Sequence, residues 1–374
     1  MNMIPSILQY IDSHAAEAQQ LLIDLARIPA PSNHEEQRAQ FCLDWLHSKG
    51  ADSAYIDEAL NVIYPVGDTV ENDLMVFMAH SDVVFPDTTP LPLKIENGRI
   101  YCPGVGDDTA NAVALLTAAG YIAEHKLMPK DCGALLVINS GEEGLGNLKG
   151  SRKIMADFGS RVKEFITFDG NANAIVTKAV GSRRYRVTVT TEGGHSYGKF
   201  GAPNAIAQLA QLITRLYQVQ VPPIGKTTYN VGTISGGTSV NTIAQSAEML
   251  YEFRSDEREG LSFMQAQFDA IVEEFRSMMV QIKTEVVGDR PCGLDVDNSL
   301  LALRAAKAVE DHYGFSPVLT SGSTDCNVPL SMGISAICPG CVLGAGAHTR
   351  EEYVEIGSLL PGLRVAFELV LYHF

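Results

Sequence analysis

The stretch Met75-Val76-Phe77-Met78-Ala79-His80-Ser81-Asp82 constrains the fold more than any other part of the chain. Its apolar run reads as a strand buried on both faces, the environment of a parallel sheet covered by helices. The run stops in a histidine and, two residues on, an aspartate. Side chains alternate along a strand, so His80 and Asp82 point the same way if the extended backbone continues. Open α/β sheets bind ligands at the carboxyl ends of their strands. An imidazole beside a carboxylate there suits a metal ligand and the partner that fixes its ring. A His-x-Asp in a loop with no partner is the reading this stretch alone leaves open.

Two further strands end the same way. Gly133 to Asn139 is apolar and runs into Ser140-Gly141-Glu142-Glu143-Gly144, and Phe165 to Phe168 runs into Asp169-Gly170. Gly104-Val105-Gly106-Asp107-Asp108-Thr109 is a glycine-rich loop leading into a helix from Asn111 to Glu124. Such loops can cradle phosphate, but two aspartates at the helix start repel an anion and favour a cation. Taken singly, each acidic tip reads equally as a solvated turn or a complement to a helix dipole. Several strand tips sharing acids and a histidine are hard to explain by solvation.

The rest of the chain alternates helices and strands. Helices are expected from Ile4 to Ile28 and from about Glu35 to Lys49, with a strand pair from Tyr55 to Val66. After Lys178 to Arg183 the pattern changes to β-α-β-β-α-β: Tyr185 to Thr191, Ala205 to Tyr217, Thr228 to Ile234, Ala247 to Phe253, Gly260 to Val280 and Ile282 to Val287. That order is ferredoxin-like. An inserted α+β domain is therefore expected over 182–290, within an α/β domain made of 1–181 and 291–374. A helix from Ser299 to Tyr313, a strand near Ile334 to Cys338, a loop at Gly344 to His348 and a helix from Ile356 to Tyr372 complete the larger domain.

With 374 residues the chain is long enough for about two domains. Its net charge of −16 argues against nucleic acid or an anionic membrane as partner, since both require a basic surface. No charged-then-apolar leader precedes Ile4 and no apolar run approaches a membrane span. Seven scattered cysteines fit a reducing compartment, so a cytoplasmic protein is expected. Cys338-Pro339-Gly340-Cys341 could be redox-active or half a zinc site, but no second C-x-x-C exists and it closes a strand-like run.

His80, Asp107, Glu143, Asp169 and His348 together offer nitrogen and oxygen donors and no thiolate. That set suits zinc, cobalt or manganese in a hydrolytic site. It exceeds one open tetrahedral ion and fits two divalent ions about 3.5–4 Å apart, sharing one carboxylate. Water between such ions becomes a nucleophile at neutral pH, and Glu142 is the spare carboxylate able to take its proton.

Six motifs in order carry a resemblance over essentially the whole chain. They are Ala79-His80-Ser81-Asp82, Gly106-Asp107-Asp108, Gly141-Glu142-Glu143-Gly144, Phe168-Asp169-Gly170, Gly193-Gly194-His195-Ser196, and Gly346-Ala347-His348 followed by Glu351-Glu352. The chain resembles the dizinc metallopeptidase and deacylase family that includes peptidase T, succinyl-diaminopimelate desuccinylase, acetylornithine deacetylase and related carboxypeptidases. The resemblance implies a zinc-exopeptidase-like catalytic domain with a mixed central sheet. It implies that His80 and Asp169 hold one metal, Glu143 and His348 the other, and Asp107 both. Asp82 then orients His80 and Glu142 is the general base. His195 would steady the oxyanion from a partner subunit of a homodimer built through the inserted domain. Asn241 and Arg254 match positions near the substrate, where a guanidinium can hold a carboxylate; Arg254 reads equally as a strand-end salt bridge.

Thr109-Ala110 stand where relatives often have Lys-Gly, and Pro103-Gly104-Val105 where an arginine is common. No donor is lost by this. Asp169, in place of glutamate, leans toward peptidase T-like members. The expected activity is metal-dependent hydrolysis of an amide bond in a small peptide. The alternatives are removal of an acyl group from an N-acyl amino acid by the same chemistry and, more distantly, a non-catalytic binding protein of this fold.

Overall fold

The computed structural model describes residues 4–276 and 281–374, with the side chain of residue 145 outside the description. Two compact units emerge, Met1–Ala179 with Leu294–Phe374, and Val180–Gly293.

The larger unit is built on an eight-stranded mixed sheet. Its strands, in spatial order, are Tyr55–Ile56, Val62–Val66, Gly133–Asn139, Leu74–His80, Val162–Thr167, Ser335–Pro339, Ala174–Ala179 and Val318–Gly322. Leu74–His80 lies parallel to both neighbours, with His80 opposite Asn139 and Met78 opposite Thr167. Three carboxyl ends thus sit side by side.

Alternation along Leu74–His80 divides the core. Phe77 and Ala79 join the apolar layer under the helices Pro5–Ala26, Ala110–Glu124, Ser299–Tyr313 and Ile356–Val370. Val76 and Met78 join a second layer with Ile154 and Met155 of the helix Lys149–Phe158. Burial on both faces is why this strand carries no polar alternation. Ala110–Glu124 is buried nearly all round, consistent with its alanine-rich sequence and close helix packing. A separate antiparallel sheet orders Gly344–Ala345, Tyr353–Glu355, Arg99–Tyr101 and Lys94–Glu96, and its first two strands hold the loop bearing His348.

The smaller unit has a four-stranded antiparallel sheet in the order Thr227–Gly236, Ser246–Ser255, Gly181–Thr190 and Gln281–Arg290. Tyr185, Val187, Val189, Met249, Tyr251 and Phe253 form one apolar layer with the helices Ala205–Leu216 and Arg258–Arg276. The latter helix was expected to reach Val280, which lies outside the described residues. No described helix is long and apolar enough to cross a membrane.

Candidate metal centre

The three parallel strand ends bring the donors together. After His80 the chain turns at Ser81, whose N–H and hydroxyl both donate to the Asn139 carbonyl at 2.8 Å. Beyond Asn139, Gly141 takes the positive φ of +64° that this sharp exit requires, and Glu142 and Glu143 follow. The third strand leads through Phe168, whose N–H bonds the Met78 carbonyl at 2.7 Å, to Asp169.

Asp107 lies between two histidines. Its Oδ1 is 3.1 Å from His80 Nε2, and its Oδ2 is 3.1 Å from His348 Nε2. His348 Nε2 is also 2.8 Å from Glu143 Oε1. Ligand atoms of His80, Asp107 and Glu143 lie within 4.8 Å of one another, as do those of His80, Asp108 and Asp169. The structure therefore gathers all of the expected donors of the larger unit and adds Asp108. That residue also accepts the His80 backbone N–H at 3.0 Å and the Asn111 amide at 2.6 Å. The peptide bond between Asp107 and Asp108 is cis.

Behind the donors lies a layer of buried carboxylates. Asp82 Oδ1 sits 3.4 Å from His80 Nδ1 and accepts the Glu142 N–H at 2.9 Å. Its Oδ2 accepts the Glu143 N–H at 2.9 Å and the Ser32 hydroxyl at 2.6 Å. Glu35 Oε1 accepts the N–H groups of Gly141 and Asn33 at 3.0 and 2.7 Å. Asp108 was expected only as one of two aspartates in a cation-favouring loop and not among the donors, and nothing in the sequence pointed to Ser32 or Glu35 as part of the site.

The electrostatics are those of a site with excess negative charge. Burial, with the Asp107 charge added, pushes the Asp169 carboxyl up to about 7. Burial likewise raises Asp108 well above the carboxylate range. Burial also works to raise Asp107, but its contacts with His348 and His80 outweigh this and hold it low. The Asp107 and Glu143 contacts lift His348 to about 10. Carboxylates and imidazoles whose proton affinities are raised in this way are a donor set in which a divalent cation competes with protons on binding. Oxygen and nitrogen donors without sulfur fit zinc, cobalt or manganese. Cys338 and Cys341 add nothing to the set. Both are free and buried, and burial pushes both thiols well above their ordinary range.

His195, Asn241 and Arg254 belong to the smaller unit. His195 pairs with Thr242 in a two-residue ladder, and the Asn241 backbone carbonyl accepts the Ser196 N–H at 3.0 Å. His195 Nδ1 accepts the N–H groups of Tyr197 and Gly198, each at 3.3 Å. Arg254 forms a two-pronged pair with Glu252, at 3.1 Å on each side. Arg184 also reaches Glu252, at 3.3 Å.

A mixed α/β unit with imidazoles and carboxylates converging at its strand ends defines a metallohydrolase class of protein. The model of peptidase family M20/M25/M40 matches residues 76–372. The chain belongs to that family of metallopeptidases and amidohydrolases. It is 26% identical over 327 residues to a succinyl-diaminopimelate desuccinylase of Paraburkholderia xenovorans, covering 79% of this chain and 81% of that one. It is 25% identical over 340 residues to an acetylornithine deacetylase of Myxococcus xanthus, covering 83% of each. Its fold matches that of a tripeptidase from Staphylococcus aureus with a TM-score of 0.77 and 22% identity, over 95% of this chain and 97% of the other.

Proposed function

We propose that the chain hydrolyses an amide bond of a small peptide at a centre of two divalent ions, zinc foremost, with cobalt or manganese as alternatives. Asp107 carries the reading: each of its oxygens lies 3.1 Å from a different histidine, as a carboxylate shared by two cations requires. His80 and Asp169 would hold one ion, Glu143 and His348 the other, and Asp107 both. When bound, such ions lower the pKa of a water and polarise a carbonyl oxygen.

Glu142 is the general base. Its carboxylate takes a proton from the attacking water and delivers it to the amine nitrogen as the amide bond breaks. Asp82 supports that role by holding the Glu142 N–H and facing the His80 ring. His195 is the oxyanion donor. Because its Nδ1 accepts two backbone N–H groups, the neutral ring carries its proton on Nε2, the atom left to donate. Asn241 and Arg254 bind substrate; a substrate carboxylate on Arg254 would have to exchange with Glu252.

The smaller unit is read as a ferredoxin-like lid and dimerisation module over 182–290. Its strand order and antiparallel pairing support this, and Thr227–Gly236 offers an edge for a second copy. A cytoplasmic location accords with cysteines that are all free.

Deacylation is the second reading, favoured by the curated relatives named as a desuccinylase and a deacetylase. The test is a metal-reconstituted panel of di- and tripeptides against N-acetyl and N-succinyl amino acids. Turnover of peptides supports the first reading. Turnover of acyl amino acids alone rejects it. No turnover in any arm, with a Glu142→Ala variant indistinguishable from wild type, rejects both.

A further inference from the structure

Two buried ionic side chains that the proposed mechanism does not use grip the Asp107 loop from opposite sides. Glu352 is 2% exposed. Its Oε2 accepts the Gly104 N–H at 2.8 Å, and its Oε1 accepts the N–H groups of Gly106 and Asp107 at 2.7 and 2.8 Å. Three backbone donors converging on one carboxylate form an anion nest. Space there is tight, since a Cβ on Gly106 would lie 3.2 Å from Glu352 Oε1. Glu352 also directly precedes the strand Tyr353–Glu355 and closes the loop that carries His348. It therefore joins the His348 loop to the Asp107 loop.

Arg38 is fully buried on the helix Glu36–Ser48. Its guanidinium donates to the carbonyls of Ile28 at 2.8 Å, Ser81 at 2.9 Å and Ala26 at 3.3 Å, and to the Thr109 hydroxyl at 3.0 Å. Ser81 lies between His80 and Asp82. Thr109 passes the contact on by donating to the Gly104 carbonyl at 2.5 Å. Arg38 thus joins the end of the His80 strand to the far side of the Asp107 loop. Burying a guanidinium without a carboxylate in direct contact is costly unless its donors are satisfied, and here carbonyls and a hydroxyl satisfy them.

The geometry points to Glu352 and Arg38 as paired positioning residues for Asp107: an anion on the loop's N–H groups and a cation on its Thr109 hydroxyl, together fixing the carboxylate between His80 and His348. The inference rests on the metal-centre reading above. Glu352→Gln keeps the shape but turns an amide N–H₂ toward a backbone N–H. Arg38→Lys keeps the charge, but its single nitrogen cannot replace the three guanidinium nitrogens that reach Ile28, Ala26 and the Ser81–Thr109 pair together. Thr109→Val removes the relay hydroxyl, and Thr109→Ser restores it.

The test is amide exchange over residues 104–109 in the metal-free full chain, together with Zn²⁺ titration and the Co²⁺ visible spectrum of each variant. Glu352→Gln and Arg38→Lys are expected to exchange these amides at least about 10-fold faster. They are expected to bind Zn²⁺ about 10- to 100-fold more weakly, the usual effect of losing a group that orients a ligand. A shifted Co²⁺ spectrum accompanies the loss, and Thr109→Ser recovers what Thr109→Val loses. Should Arg38→Lys fail to fold, Glu352→Gln decides alone. Wild-type Zn²⁺ affinity in Glu352→Gln overturns the inference, whatever the exchange does. Faster exchange in a chain whose wild type takes up no Zn²⁺ upholds the clamp and overturns the metallohydrolase reading instead.

Discussion

One oxygen of Asp82 accepts the backbone N–H of Glu142 at 2.9 Å. The same carboxylate faces His80 Nδ1 at 3.4 Å and accepts the N–H of Glu143. A single buried anion therefore couples the ring of one proposed ligand to the backbone of the proposed base. Asp82→Asn cannot satisfy all of these donors, because one oxygen becomes an N–H₂. The expected result is a loss of about 10- to 100-fold in kcat/KM or metal affinity. Steady-state kinetics with parallel metal analysis check it. Wild-type values in both would remove Asp82 from the site.

Glu142 is 4% exposed and is the carboxylate beside the proposed ligand Glu143. Glu142→Gln keeps its volume and removes its capacity to take a proton. Loss of a general base lowers kcat by about 10²- to 10⁴-fold. Metal content and KM should stay close to wild type, since the side chain is not among the proposed donors. A variant that loses its metal along with its activity would make Glu142 a ligand and not the base.

The strand tips were legible because composition changes abruptly there: an apolar run gives way to His80, to Glu142-Glu143 or to Asp169, and nothing in packing requires that. The helix Ser299–Tyr313 and the strand Gly133–Asn139 have the same bounds in sequence and structure. The strand Val318–Gly322 escaped because it lies at the sheet edge with exposed Val318 and Leu319 and no alternation. The helix Lys149–Phe158 escaped because a glycine and charged residues open it, while its inward face rests on only a few positions such as Ile154 and Met155. Among site residues, Arg38 leaves a trace in the sequence. It shares the buried stripe of its helix with Cys42 and Leu46 at four-residue spacing, where a charge is out of place. Glu352 follows His348 in the Glu351-Glu352 pair, but its partners are backbone N–H groups, which no residue type announces.

Removal of divalent metal should weaken the larger unit. Its buried carboxylates crowd one another, and burial first, then the neighbouring negative charge, raises the proton affinity of Asp169 and Asp108. Binding to the folded state alone stabilises it by about 2.7 kcal/mol when free metal is 100-fold above Kd. A thermal midpoint several degrees lower in chelator, restored by Zn²⁺, is expected from differential scanning fluorimetry. A midpoint indifferent to both would contradict metal binding at this cluster.

Glu164 provides a pH test away from the metal centre. It lies on the strand Val162–Thr167, where its Oε2 accepts from Arg304 and sits 3.1 Å from His373 Nε2. Arg304 in turn lies over the Tyr372 ring at 4.1 Å. Burial works to raise the Glu164 carboxyl, but His373 and Arg304 outweigh it and bring it down to about 2. A carboxylate held lower in the folded state than in the unfolded chain stabilises the fold above its unfolded value, near 4.5. That contribution fades as pH falls from there through the folded value. Each unit corresponds to about 1.4 kcal/mol, and the side chain is 31% exposed, so screening leaves about 1–3 kcal/mol. Urea unfolding of metal-free wild type and Glu164→Gln at pH 6 and pH 3 should show the gap between them shrinking at the lower pH. Chelator in every sample keeps acid-driven metal loss out of the comparison. A gap unchanged between pH 6 and pH 3 would mean that the pair holds its geometry without the carboxylate's charge.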